Sequence, residues 1–320
     1  MPRFPPKLNT RQQDAVRVVG FLIGYLVTAL IPSSWNASIV RGATRLLGRI
    51  RPASTDRHAQ LMAKPLARSP ADLSETALRR RAASVEGAWV RVRGLHRRGW
   101  RPHIEIEGIE RIRAALERTQ GVMLWRMSFC GTPVVKRALW EAGIPLVHLS
   151  KQEHGAHSDA WVSRRMLTPL FRRAEDWYLT ERVIIPWGGS PVGAMRTLLK
   201  RLQRDHAVVS IMGDAPWQPG TTARVFDRDA LFARGAPLLA ARSGALLLPV
   251  VTVWESENHY RVVIGHPINL VPDLDRDRQV DLAIAEFADR MERAIREHPE
   301  SWSGWSAYWS GSPPFLPEAS

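Results

Sequence analysis

Cysteine is nearly absent from this 320-residue sequence, which contains Cys130 alone. A single cysteine excludes a disulfide within the sequence and a zinc site built from cysteines, and it fits a reducing compartment. The sequence also lacks a P-loop, a G-x-G-x-x-G fingerprint and internal repeats. The absence of both glycine-rich motifs argues against an enzyme that binds nucleotides through them.

Lysine is scarce as well, because only five of the 45 basic residues are lysines and the rest are arginines. Against 31 acidic residues this gives a net charge of +14, which suits a polyanionic partner such as anionic lipid headgroups, a phosphorylated substrate or nucleic acid. The arginine bias is equally typical of a GC-rich genome. Zinc-finger spacing, a helix-turn-helix signal and an aromatic RNA-binding signature are all missing, so we expect no nucleic-acid partner.

No apolar run is long enough for a simple membrane-spanning helix. The strongest run, residues 18–31, would form a helix of about 21 Å, short of the roughly 30 Å hydrocarbon core. It predicts a shallow membrane anchor, with a buried core helix as the alternative; a signal peptide would need a small-residue cleavage site that does not follow cleanly. Arg41, Arg45, Arg49 and Arg51 come next and would meet anionic lipid phosphates. We expect deletion of residues 1–33 to release the protein from membranes.

The rest of the sequence is typical of an α/β domain. Residues 52–75 are polar and predict a loop, and residues 74–98 predict a basic helix. From residue 103 onward, short runs rich in β-branched residues alternate with helical segments, which predicts a mostly parallel central sheet with helices on both faces. The predicted strands are 103–107, 122–127, 146–149, 183–185, 208–212, 246–253 and 260–264, and the predicted helices are 109–118, 133–142, 159–173, 191–203, 230–243 and 278–296.

This pattern predicts three parts: a membrane-associated segment over residues 1–51, the α/β domain over residues 52–310, and a tail over residues 311–320. Polar residues follow three of the predicted strands, at Ser128, at Lys151 and at Asp214. Ligands of open α/β sheets bind beyond the carboxyl ends of the strands, so these residues predict a site there. Loops after strands are polar in any protein, and ordinary solvated loops are the alternative.

Several short segments, in this order and spacing, resemble a known family. They are Gly99-Trp100, Glu107-Gly108, the strand after Gly121, Ala142-Gly143-Ile144-Pro145, Gly213-Asp214, Arg224-Val225-Phe226, Gly235-Ala236-Pro237 and Pro299-Glu300-Ser301-Trp302-Ser303-Gly304-Trp305, the last of which is similar to the family's closing P-E-x-W. Together they are similar to the lipid A late acyltransferases (lauroyl/myristoyl transferases) of the lysophospholipid acyltransferase superfamily. The resemblance covers nearly the whole length and implies that superfamily's α/β fold. It also implies a protein that takes a fatty acyl chain from acyl-carrier protein or acyl-CoA, with no metal or other cofactor.

The family's His-x4-acid motif, whose His is the general base on the acceptor hydroxyl, falls on Ser128 and Pro133 in this sequence. A serine hydroxyl is not a base at pH 7, and proline has no side-chain acceptor. Three interpretations stay open. In the first, the protein is a pseudoenzyme that binds an acyl chain or glycolipid. In the second, catalysis persists, either because Ser128 acts as a nucleophile with His148 or His154 as its base or because the acceptor is an amine. In the third, the site lies elsewhere. A packed core role is the simpler interpretation for His148.

The resemblance carries other site residues over. Asp214 occupies the place of the family's Asp and would contact substrate or support the site, with a loop cap as the alternative. Lys151 stands where the family often has an arginine facing a phosphate. Arg224 precedes Val225-Phe226 as in the family and would line the same groove. Apart from the resemblance, Arg164 and Arg165 lie on the next predicted helix and would meet phosphates or form a solvated basic face.

The expected function is acyl transfer to a glycolipid or phospholipid by a non-standard site, with Ser128 and Asp214 as the catalytic candidates. The expected partners are an anionic membrane surface, the lipid acceptor and acyl-carrier protein. The resemblance places the protein on the cytoplasmic face of the bacterial inner membrane, attached peripherally or monotopically.

Overall fold

The computed structural model describes residues 10–50, 53–96, 100–152, 165, 167–186, 189–214 and 220–316. The strands are β1 (His103–Glu107), β2 (Val122–Arg126), β3 (Leu146–Lys151), β4 (Glu181–Ile185), β5 (Val208–Met212), β6 (Gly220–Val225), β7 (Arg228–Ala233), β8 (Leu246–Ser256) and β9 (His259–Ile264). Seven of them form one sheet in the order β1-β9-β8-β2-β5-β3-β4, and β6 and β7 form a separate hairpin.

The sheet is mostly parallel, as the sequence predicts. Strands β8, β2, β5, β3 and β4 pair in parallel, whereas β9 runs antiparallel to β8, and β1 pairs in parallel with β9. All five residues of the central strand β2 are buried. A strand covered on both faces needs a continuous apolar run rather than an alternating one, and residues 122–125 provide it.

Helices cover both faces of this sheet. The described helices of the chain are α1 (Thr10–Leu30), α2 (Asn36–Ile50), α3 (Ala53–Leu66), α4 (Ser74–Arg93), α5 (Ile109–Glu117), α6 (Thr132–Glu141), α7 (Thr168–Asp176), α8 (Val192–Arg204), α9 (Gly235–Ser243), α10 (Arg276–Glu297) and α11 (Trp305–Ser310). One buried cluster joins the sheet to α8, α9 and α10, and a second joins the opposite face to α5 and α6. Val280, Ile284, Phe287, Met291 and Ile295 form one apolar stripe along α10, and all five are fully buried.

Two predictions about local structure are wrong. Residues 53–66 form the helix α3 rather than a loop, because Ala59 and Met62 lie one turn apart and pack into the core beside Leu73. Residues 230–233 belong to strand β7 rather than to a helix, and the hairpin β6–β7 was not predicted at all. The predicted helix over residues 159–173 starts outside the described residues, and its described part is α7.

The N-terminal helices leave much apolar surface exposed. Within the described residues no single helix is long and apolar enough to cross a membrane. The bent pair Val19–Leu30 and Ser33–Ile50, which turns by 115°, satisfies length and composition together. Helix α1 is held to α4 by the Arg93 guanidinium, which donates to the carbonyls of Thr28 and Ile31. The pair is thus attached to the domain and still presents an apolar face.

The described part of the expected tail, up to Leu316, packs against the hairpin. The Leu231 amide donates to the Pro314 carbonyl at 2.8 Å, and the Leu316 amide donates to the Asp229 carbonyl at 2.9 Å. Phe315 is buried between them. These residues therefore extend the buried core at the C-terminal segment.

Candidate functional site

Ser128 and Asp214 meet at the carboxyl ends of the neighbouring strands β2 and β5. The Ser128 hydroxyl donates to Oδ1 of Asp214 at 2.7 Å, and the Ser128 backbone N–H donates to Oδ2 of Asp214 at 3.0 Å. Asp214 is buried, whereas Ser128 is partly exposed. The carboxylate therefore binds both polar hydrogens of one residue and fixes the orientation of its hydroxyl.

Two glycines make this approach possible. A Cβ at Gly213 would lie 2.4 Å from the indole nitrogen of Trp125 and 2.5 Å from the ring of Phe287, so only glycine fits between β5 and Asp214. Gly131 has φ of +69° where the turn after Ser128 enters α6, a conformation that favours glycine. Close packing thus requires glycine at position 213, and the backbone conformation of the Ser128 turn favours glycine at position 131.

The C-terminal segment holds the Ser128 turn from the other side. The Ser128 carbonyl accepts from the hydroxyl of Ser303 at 2.5 Å and from its backbone N–H at 3.2 Å. The Cys130 amide donates to the Ser301 carbonyl at 2.7 Å, and Phe129 and Trp302 form an antiparallel bridge. The segment that resembles the family's closing P-E-x-W is therefore one wall of the site.

The charge of the site is set by burial and by Arg126. Burial raises the pKa of the Asp214 carboxyl above its usual value, while the two hydrogen bonds from Ser128 and the positive charge of Arg126 oppose that shift. Burial also lowers the pKa of Arg126 to about 10, and the charges of Glu175 and Asp214 oppose it. Asp214 is therefore a more basic carboxylate than an exposed one, with a cation nearby.

A buried ionic cluster lies around Arg126. Lys136 on α6 is fully buried and contacts Glu175, which also accepts from Arg182 at 3.1 Å. The pKa of Lys136 is lowered to about 8, mainly by burial and also by the charges of Arg126 and Arg182, whereas Glu175 opposes this shift. Lys136 and Arg182 thus contact the Glu175 carboxylate beneath the site, and Arg126 interacts with it through its charge.

The histidine candidates do not reach Ser128 in the described part of the chain. His148 is buried in β3, and its Nδ1 lies 3.2 Å from the Ser210 carbonyl, as expected for a packed core residue. Within the described residues the Ser128 hydroxyl contacts Asp214 and the sulfur of Met212, which lies 3.5 Å away, and no imidazole. His154 lies outside the described residues.

The other predicted site residues lie on several different elements. Lys151 ends β3 and is partly exposed at the same edge of the sheet, and Pro133 opens α6. Arg224 lies on β6, where its guanidinium donates to the Asp227 carbonyl at 3.1 Å. Arg165 is exposed, and Arg164 lies outside the described residues. Arg224 thus bonds within the hairpin and not to the Ser128–Asp214 pair.

Sequence reasoning missed the contribution of Ser303, Arg126 and Lys136. Ser303 lies 175 positions from Ser128, and its only signal was the resemblance of its segment to the family's closing motif. Arg126 directly follows an apolar run that predicts a buried strand, and this position was the signal that its charge would be buried. Among the described residues there is no group of three or more His, Cys, Asp or Glu side chains that could hold a metal ion.

Comparison with known proteins adds one match. A sequence profile of the bacterial lipid A biosynthesis acyltransferases matches residues 180–306, which include Asp214 and Ser303 but not Ser128. No curated protein matches the chain. The degenerate His-x4-acid motif lies outside the matched residues, so its assignment to Ser128 and Pro133 stays a prediction.

Proposed function

We propose that this chain, which belongs to the bacterial lipid A biosynthesis acyltransferase family, transfers a fatty acyl chain to a glycolipid or phospholipid at the Ser128–Asp214 pair. The family supports lipid acyl transfer as the activity. The acceptor, the donor and the non-standard site are our proposal. The observation that carries it is the 2.7 Å hydrogen bond between the Ser128 hydroxyl and a buried carboxylate.

In the proposed reaction the acceptor is a hydroxyl or an amine, and the donor is an acyl thioester of acyl-carrier protein or coenzyme A. As the acceptor atom bonds to the thioester carbonyl carbon, its proton passes to Oγ of Ser128. The serine proton passes in turn to Oδ1 of Asp214. The carbon–sulfur bond then breaks, and the sulfur takes the proton back through Ser128, which leaves an ester or amide and a free thiol. Burial of Asp214 favours this role because it raises the pKa of the carboxyl.

Asp214→Asn is expected to lower acyl transfer by about 100-fold, because the amide keeps the shape of the carboxylate and cannot take a proton. Ser128→Ala removes the relay and is expected to cost a similar factor. The measurement is transfer of labelled acyl chain from acyl-carrier protein or acyl-CoA to total membrane lipid. Thr197→Ala, on α8, and Asp205→Asn, at the residue that follows α8, are the matched controls. Undiminished transfer by Asp214→Asn would contradict the proposed site.

A pseudoenzyme that binds an acyl chain or glycolipid is the second candidate. The observation in its favour is that, within the described residues, no imidazole contacts Ser128, whose two polar hydrogens both go to Asp214. In the same assay this candidate predicts tight lipid binding by the unmodified protein and no labelled product with either donor.

We also propose that the protein acts at the cytoplasmic face of the inner membrane, attached through α1 and α2. The large exposed apolar residues of these helices and of the turn between them are Val19, Leu22, Ile23, Leu26, Val27, Leu30, Trp35, Leu46, Leu47 and Ile50. Arg45 and Arg49 lie on α2 beside this surface, where they would meet lipid phosphates. A bent pair that lies in the interface suits the exposed apolar face better than a straight span.

The double substitution Leu26→Ser/Leu30→Ser is expected to weaken vesicle binding by about tenfold or more, because both side chains are more than half exposed and would enter the lipid. The measurement is co-sedimentation with anionic vesicles. The matched control is Leu274→Ser/Leu282→Ser, at two exposed leucines that lie outside α1 and α2. Equal losses in both double variants would count against the α1–α2 surface. These substitutions avoid the contacts between α1 and α4 that deletion of residues 1–33 would remove.

A further inference from the structure

A group of basic side chains lies between α3 and α4, next to the Ser128 turn. We name Arg57, His58, Arg80 and Arg81 the α3–α4 basic cluster. The Arg80 guanidinium donates to the Glu300 carbonyl at 3.4 Å, immediately before the segment that holds Ser128. Its positive charge also acts on the thiol of Cys130, two residues after Ser128. The cluster is therefore adjacent to the site and outside the machinery proposed above.

Two arginines of this cluster, Arg57 and Arg80, are not paired with carboxylates among the described residues. The nearby Glu300 pairs with Arg79 at 3.3 Å. Burial lowers the pKa of His58, and the charges of Arg80, Arg81 and Arg57 lower it further, with no carboxylate opposing them. Nδ1 of His58 is buried and has no hydrogen-bond partner among the described residues.

The position of the cluster indicates what kind of anion it would take. Arg81 reaches α2, because a Cβ at Gly48 would lie 3.1 Å from its guanidinium. The residues around Gly48 include Leu47 and Ile50 of the exposed apolar surface. An anion held here would thus have apolar surface on one side and Ser128 on the other. Arginine forks match the oxygens of phosphate in particular.

We propose that the α3–α4 basic cluster binds a phosphate group of the lipid acceptor, with Arg57 and Arg80 as its ligands, and so places the acceptor between the membrane surface and Ser128. This inference deepens the proposed function and rests on it, because it assigns the phosphate to the acceptor rather than to the donor. Nδ1 of His58, which has no hydrogen-bond partner among the described residues, is available to the same group.

The test is binding of short-chain phosphatidic acid to the full chain in detergent, without any acyl donor. Arg80→Gln and Arg57→Gln are each expected to weaken binding by about five- to tenfold. Arg57 is exposed and forms no ion pair with another described residue, so Arg57→Gln is expected to keep the fold even if Arg80→Gln does not. Arg113→Gln, an exposed arginine of α5 with the same change in net charge, is expected to weaken binding by less than about twofold. Short-chain diacylglycerol, which lacks the phosphate, is expected to bind equally to all four proteins.

Equal losses in Arg57→Gln and Arg113→Gln would overturn the proposal, because they would reflect net charge alone. Coenzyme A that competes with phosphatidic acid in the unmodified protein and not in Arg57→Gln would assign the cluster to the donor and overturn it as well. Since binding needs no turnover, a protein that binds as expected and transfers nothing contradicts only the proposed acyl transfer. Intact transfer with unchanged binding in Arg57→Gln and Arg80→Gln contradicts only this inference.

Discussion

Replacing Glu175 with glutamine is expected to lower the free energy of unfolding at pH 7 by about 3 to 5 kcal/mol. Glu175 is the carboxylate that the fully buried Lys136 contacts, and it also accepts from Arg182 at 3.1 Å. Glutamine keeps the shape and leaves the buried cations without their shared counter-charge. Urea denaturation followed by circular dichroism measures the change.

The dependence of this loss on pH follows from Lys136. Its pKa is about 8 in the folded protein, below the ordinary 10.5, so unfolding takes up a proton between these values. The unfolding free energy of the unmodified protein therefore rises as the pH passes from about 8 to 10.5 and is lower below that window. Glu175 raises the pKa of Lys136, so in Glu175→Gln the rise is expected to begin at a lower pH.

Two variants make this prediction specific. Asp176→Asn removes the neighbouring carboxylate, which is about half exposed and pairs with Arg182 at 2.5 Å, and is expected to cost less than about 1 kcal/mol. Lys136→Met is expected to remove the rise above pH 8. An equal loss in Asp176→Asn, or an unchanged rise in Lys136→Met, would show that Lys136 and Glu175 do not form the cluster described.

The sequence predicted the central sheet because its strands are short, rich in β-branched residues and separated by helical segments. It did not predict α3, because the polar residues around Ala59 and Met62 hide a stripe that only packing against Leu73 reveals. It also took Ala230 for a helical residue, since residues 230–243 are rich in alanine and leucine. Strand β7 forms there because it pairs with β6 and with Phe315, a partner 85 positions away.

The Ser128–Asp214 pair was within reach of the sequence, because both residues follow apolar runs that predict neighbouring strands of a parallel sheet. Their mutual hydrogen bonds could not be predicted, since the sequence does not specify that Gly213 lies against Trp125. The ionic cluster was out of reach for a similar reason. Arg126, Lys136 and Glu175 lie on three different elements and become neighbours only when the helices pack on the sheet.

Replacing Trp302 with alanine is the second large expected effect, a loss of about 3 to 5 kcal/mol in the free energy of unfolding. Trp302 is fully buried, lies edge-on to Trp305 with ring centroids 4.8 Å apart, and bridges Phe129. Because its neighbour Ser303 holds the Ser128 carbonyl, the cavity is also expected to loosen the turn and lower acyl transfer. Urea denaturation and the transfer assay measure the two effects.

Trp302→Phe separates packing from hydrogen bonding at this position. The indole N–H of Trp302 has no hydrogen-bond partner among the described residues, so phenylalanine is expected to recover more than half of the lost stability. Trp140→Ala, at a half-exposed tryptophan of α6 with one ring contact to Tyr178, is expected to cost less than about 1 kcal/mol. If Trp302→Ala unfolds no more easily than Trp140→Ala, the C-terminal segment is not the wall that holds Ser128. A stable Trp302→Ala protein with full transfer would mean that Asp214 alone fixes the serine.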